Sequence, residues 1–159
     1  MMNVYLLLGS NLGDRQTYLK EAIAHIESEI SSVVKASAIY ETQSWGKTDS
    51  PNYLNQVILI KTELSAAVLL QKLLNIEWVI GRTREEKWGP RIIDIDILFY
   101  GDEIIDEPDL QVPHPLLHTR RFTLEPLAEL APTLIHPLLL KSILQLKNEL
   151  TDSLVVKKL

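Results

Sequence analysis

Two segments with helical spacing are each flanked by short strand-like runs, and that order restricts the chain to few folds. Leu19, Ala22, Ile23, Ile26 and Ile30 recur at intervals of three and four, which predicts a helix over 15–30. Asp14 stands before it as an N-cap, closing the glycine- and Asx-rich turn GSNLGD. Leu69, Leu70, Leu73, Leu74 and Ile76 form the apolar face of a second helix, capped by Ser65 and running to Gly81. The strand-like runs are 4–8, 35–41, 53–62 and 92–100. Strand, helix, strand, strand, helix, strand is the split βαβ, or ferredoxin-like, order. It predicts an α+β fold, a mostly antiparallel sheet with helices packed on one face. Gly101 and Asp102 turn the chain into a short return strand at 103–105. Apolar stretches around 125–130 and 138–150 predict extra C-terminal helices, with Pro126 suited to a first helical turn. The closing SLVVKKL fits strand and coil alike. No repeat or linker interrupts the pattern, so 1–159 is expected to be a single domain.

At 159 residues the chain can bury roughly 68–70% of its unfolded surface. A composition of 46% hydrophobic and 23% charged residues excludes disorder. No apolar run approaches the ~18 residues of a membrane helix, and the start lacks the basic region and cleavage site of a secretory signal. The absence of cysteine rules out disulfides, a thiolate nucleophile and a cysteine zinc site. These features together lead us to expect a cytoplasmic protein without membrane contacts. A net charge of −5 argues against nucleic acid as a partner. Positive charge is nevertheless concentrated twice, at Arg82, Arg84, Lys87 and Arg91 and again at His114, His118, Arg120 and Arg121. That pattern suits a small anionic site.

The run IIDIDIL places Asp94 and Asp96 on one strand face and Ile93, Ile95 and Ile97 on the other. Carboxylates roughly 6.6 Å apart along a strand can share a pair of divalent cations ~3.5–4 Å apart. Magnesium fits, since it takes its remaining ligands from water and phosphates. Two solvated aspartates are the alternative, but aspartate is disfavoured in strands and like charges on one face repel. In the preceding loop, RTREEKWGPR, the indole of Trp88 exposes apolar area unless something covers it. A loop folded over a nucleotide would cover the indole and bring arginines to phosphate oxygens, with Arg91 the best-placed clamp; a solvated surface loop is the alternative. His114, held between two prolines, is read as a phosphate or nucleotide contact, because no second histidine is spaced to complete a metal site. Tyr53 and Asn55 share a strand face, and Thr42, Gln43 and Trp45 precede them. An aromatic beside an amide can stack a flat heterocycle and read its edge; a strand-edge tyrosine with a surface asparagine fits the same spacing. With no G-x-x-x-x-G-K-[ST] loop and no dinucleotide fingerprint, any nucleotide must be held by arginines and metal.

These motifs resemble the 6-hydroxymethyl-7,8-dihydropterin pyrophosphokinase family of folate biosynthesis. GSNLGD, P-N-Y-L-N at 51–55, G-R at 81–82, W-G-P-R-x-I-D-I-D-I-L at 88–98 and V-P-H at 112–114 carry the resemblance, and the 88–98 block is the most specific. The resemblance implies transfer of pyrophosphate from ATP to the pterin's hydroxymethyl oxygen, with release of AMP. It implies that Asp94 and Asp96 ligate two magnesium ions and that Arg82 and Arg91 assist catalysis. Tyr53 and Phe122 would sandwich the pterin, with Asn55 and Thr42 on its edge and Gly9, Gln43 and Trp45 completing the pocket. Glu77, Arg84, Trp88, Arg91, Ile97, Leu110, Gln111, His114 and Arg120 would bind ATP. Lys87 stands where arginine is expected, and Leu74 and Pro115 also depart from the pattern. ATP and a reduced pterin are the implied partners of a monomer. A ferredoxin-like RNA binder lacks its aromatic motifs here. A two-metal hydrolase would need further carboxylates, for which Glu103 and Asp106 are the nearby candidates.

Overall fold

The computed structural model describes residues 1–43, 52–82 and 92–159, with Arg82 described by its backbone alone. The sheet is built on β1 (Met2–Ser10), which pairs antiparallel with β4 (Tyr53–Thr62) on one side and β5 (Asp94–Tyr100) on the other. Beyond β4 lie β2 (Val33–Ala36) and then, further along the same edge, β3 (Tyr40–Thr42). The chain's end, β8 (Val156–Lys158), pairs antiparallel with β3. Helices α1 (Arg15–Glu29) and α2 (Ala66–Arg82) cover one face. Asp14 caps α1 by accepting from the Thr17 N–H at 3.2 Å, as the turn sequence predicts. Under these helices Val4, Leu6, Leu8, Leu54, Ile58, Ile60, Ile95 and Ile97 form the larger core with Leu19, Ile26, Leu69 and Leu73.

The C-terminal helices are more than an addition. α3 (Arg121–Leu130) and α4 (Ile143–Asn148) cover the opposite face, closing a second core of Leu7, Val57, Leu98, Phe99, Leu124, Leu127 and Ile143. Helices therefore pack on both faces of the antiparallel sheet, not on one. A bulge in β5 allows it. Leu6 pairs with Ile97 and Tyr5 with Phe99, so Leu98 is the extra residue, and both Leu98 and Phe99 reach the second core.

Several boundaries differ from expectation. The strand expected at 35–41 is two pieces. Three residues, 37–39, oppose two on β4, and the Ser37 hydroxyl accepts the Val57 N–H at 3.0 Å in place of the regular ladder. β5 begins at Asp94, not 92. The return strand is β6 (Ile105–Glu107), paired with β7 (Leu110–Val112) instead of folding back at 103–105. α3 begins at Arg121, which puts Pro126 in mid-helix and leaves the Phe122 carbonyl without an N–H four residues on. The helix expected over 138–150 is confined to α4, because His136 and the loop after it take up the preceding residues. Among the described residues no helix is long and apolar enough to cross a membrane.

Candidate active site

Strand register assembles the site. Gly9 pairs with Asp94 on one side and Asn55 on the other, and Tyr40 lies beyond Asn55. Residues directly opposite share a face, so Asp94, Gly9, Asn55 and Tyr40 form one row across the sheet. Asp96 lies two residues on, opposite Leu7, and Thr42 faces Tyr53 in the neighbouring row. This is the face of the second core. It turns from apolar, at Leu7, Val57 and Leu98, to polar as β1, β4 and β5 run past α3. A Cβ at Gly9, the centre of the row, would lie 2.9 Å from Asn55 Nδ2, so any larger residue there would displace that amide. The amide thus lies over bare backbone.

Two polar atoms on this face have no hydrogen-bond partner among the described residues. Asn55 Oδ1 and Thr42 Oγ1 are buried, at 4% and 2% exposure of their residues. A buried acceptor without a donor costs about 1–3 kcal/mol, and in a native fold such a group calls for an explanation such as a ligand. Ser10 Oγ and Asn11 Oδ1, at the end of β1, are orphaned in the same way among the described residues, although GSNLGD as a sequence marks them only as turn residues.

The phosphate-side residues gather from loops. His114 follows β7 and its N–H donates to the carbonyl of bulged Leu98 at 3.0 Å, so the bulge fixes its place beside β5. Its Nδ1 accepts the Leu116 N–H at 3.2 Å, which leaves the proton of the neutral ring on Nε2. Burial lowers the His114 pKa, Asp96 opposes that, and Arg120 reinforces it. The imidazole thus lies within electrostatic reach of both an expected metal ligand and an expected phosphate contact. Arg120 precedes α3 and its guanidinium carbon lies 5.4 Å from the centroid of the Phe122 ring. Glu77, from α2, accepts the Ile95 N–H at 2.6 Å, so its carboxylate grips β5 between the two aspartates.

The other expected contacts lie on several elements. Ile97 and Leu110 are buried in the α1/α2 core, off the face that carries Asp94 and Asp96. Gln111 is exposed and its amide donates to Asp106 at 3.2 Å. Gln43 follows β3, its N–H directed at the Val155 carbonyl at 3.4 Å. Arg82 closes α2. Trp45, Arg84, Trp88 and Arg91 lie outside the described residues.

No group of three or more acidic or histidine side chains among the described residues could enclose a metal unaided. The donor set is two carboxylates on one strand face. Such a pair fits magnesium that draws the rest of its shell from water and phosphate oxygens, and it does not fit a closed structural site.

The family model described as 7,8-dihydro-6-hydroxymethylpterin-pyrophosphokinase matches residues 5–132. Over 151 residues the chain is 46% identical to 2-amino-4-hydroxy-6-hydroxymethyldihydropteridine pyrophosphokinase of Aquifex aeolicus, covering 95% of this chain and 94% of the relative. The protein of the same name from Bacillus subtilis is 46% identical over 127 residues, 79% of this chain and 76% of the relative. Among solved structures, Plasmodium falciparum HPPK-DHPS is similar with a TM-score of 0.76 at 18% identity. That alignment covers 93% of this chain but 45% of the longer polypeptide, and it speaks for the fold.

Proposed function

The chain belongs to the 7,8-dihydro-6-hydroxymethylpterin-pyrophosphokinase family, and from that premise we propose that it moves the terminal pyrophosphoryl group of ATP onto 6-hydroxymethyl-7,8-dihydropterin in folate biosynthesis. The hydroxymethyl oxygen attacks the β-phosphorus, the bond from that phosphorus to the α-bridging oxygen breaks, AMP leaves and the hydroxyl proton is released. The row running from Asp94 through Gly9 to Asn55 is the observation that carries this reading. It sets an acidic, phosphate-facing end and an amide end side by side on rigid strands, and positioning of that kind is the main source of rate in phosphoryl transfer.

Asp94 and Asp96 would hold two magnesium ions. Bound there, magnesium neutralises phosphate charge and orients the triphosphate. Asn55 Oδ1 and Thr42 Oγ1, both lacking partners among the described residues, would meet donor groups on the pterin edge. Tyr53 and Phe122 would cover its faces. His114 Nε2–H and the Arg120 guanidinium would donate to phosphate oxygens, and Arg82, Arg84, Trp88 and Arg91 would close on the nucleotide. ATP and a reduced pterin are then the partners of a monomeric, single-domain cytoplasmic enzyme that binds no nucleic acid.

The test is AMP formation from ATP. It should require added hydroxymethyl-dihydropterin and magnesium together, and Asp96→Ala should reduce it about a hundredfold to a thousandfold, the scale of removing a principal electrostatic element. ATP turnover indifferent to the pterin, or an Asp96→Ala enzyme near wild-type rate, would refute the assignment.

A further inference from the structure

Helix α3 begins with an exception to the usual capping chemistry. Arg120 occupies its N-cap position, with φ −119° and ψ 116°, and makes no side-chain cap hydrogen bond. Ser, Thr, Asp or Asn normally fills that place and satisfies one of the first orphan N–H groups. Arginine cannot do so, since its guanidinium only donates. The missing acceptor comes instead from a residue 31 positions away. Asp152 Oδ2 accepts the Arg121 N–H at 3.0 Å, and the Asp152 carbonyl accepts Arg121 Nε–H at 3.2 Å. The other carboxylate oxygen, Oδ1, accepts the Leu154 N–H at 2.9 Å, which orients the capping group from behind.

From Asp152 the chain runs straight to the other wall of the pterin pocket. The Val155 carbonyl faces the Gln43 N–H at 3.4 Å, and Val156 pairs with Thr42 as β8 adds to β3. The far end is fastened by Lys158 Nζ, 3.6 Å from Glu129 Oε1, and by the Leu159 N–H, which donates to the Ile39 carbonyl at 2.9 Å. One short segment is therefore bonded at Arg121, the residue before Phe122, and at Thr42 and Gln43.

We propose that residues 152–158 form a strap that sets the spacing of the pterin pocket, with Asp152 as its positioning residue. Its carboxylate caps α3 in place of Arg120. The first turn of α3, which carries Phe122, is thereby held in register with Thr42 on β3. The proposal rests on the pterin reading of this pocket and adds to it a residue that touches neither substrate.

Steady-state kinetics on the full chain test it. Asp152→Ala should raise KM for the pterin about fivefold to tenfold while kcat and KM for ATP stay within about twofold, on the scale of losing an N-cap. Asp152→Asn keeps an acceptor oxygen for the Arg121 N–H but turns its NH2 toward the Leu154 N–H, so it should recover part of the loss, leaving the pterin KM below that of the alanine variant and within about threefold of wild type. If the alanine variant does not fold, Asp152→Ser, whose hydroxyl is too short to span the same gap, carries the comparison. An unchanged pterin KM in the alanine or serine variant would overturn the proposal, as would kcat and both KM values changing together. Phe122→Ala separates the two layers of the argument. If it leaves the pterin KM unaltered, the pocket reading itself falls; if it raises that KM while Asp152→Ala does not, only the strap falls.

Discussion

At the scale of single residues, Asn55 is where stability and activity oppose each other. Its amide oxygen is buried without a donor among the described residues, while its amide nitrogen lies over the bare backbone of Gly9. Replacing such a group by an apolar one of similar volume removes a desolvation cost from the folded protein. Asn55→Leu is therefore expected to leave urea stability unchanged or raise it by about 0.5–1 kcal/mol. The same change removes an acceptor from the pterin edge and should weaken pterin binding at least about tenfold by calorimetry, the scale of about 1.4 kcal/mol for one good polar contact. Stability that falls while affinity holds would mean that the amide serves the fold. The sequence could not separate these roles. Tyr53 and Asn55 alternate on a strand in either case, and only the partner strand reveals that position 55 is buried beside a glycine. That Asp94 and Asp96 share a strand face was legible because the alternation of IIDIDIL is local.

Among elements, the junction of β3, α3 and β8 is held by one carboxylate. Glu129 accepts from the Tyr40 hydroxyl at 2.6 Å and from the Ala38 N–H at 3.0 Å, and Lys158 lies 3.6 Å away. Burial raises its pKa, but these donors outweigh burial and leave it lowered. Glu129→Gln keeps the shape and loses one of the acceptors, so urea denaturation should show a loss of about 1–2 kcal/mol. An unaffected midpoint would show the contact to be incidental. This junction was not readable from the chain. The break at 37–39 depends on a residue some ninety positions downstream, and β8 has no pattern of its own until β3 offers it an edge. α1, α2, β1 and β4 were readable because their periodicity is local. Pro126 misled, since proline at a helix start is common and mid-helix proline is rare.

For the whole molecule, the second core ends in a buried histidine. His136 is 3% exposed, its ring packs edge-on to Phe99 at 5.6 Å, and its Nδ1 accepts the Leu138 and Leu139 N–H groups at 3.2 and 3.1 Å. Burial, and then neighbouring His118, lower its pKa from the ordinary 6.5. The unfolded chain therefore binds this proton first. The contribution of His136 to stability is complete above about pH 6.5 and is lost as pH falls from there toward its folded-state value. Thermal melts should show Tm falling from pH 7 to pH 5, with a shallower fall in His136→Asn, whose amide oxygen can accept the same two N–H groups. Identical slopes would exclude His136 as a source of the acid sensitivity.

The central strand also acts as a ruler. Asp94 and Asn55 are separated by Gly9 alone, two strand spacings or roughly 9.6 Å. Hydrogen-bonded backbone fixes that interval, and Gly9 adds no side chain of its own to it. On the proposed reading, how far donor and acceptor stand apart would thus be settled when the protein folds, before either molecule arrives. Selection could redesign the surrounding loops freely and still inherit the same reach between them.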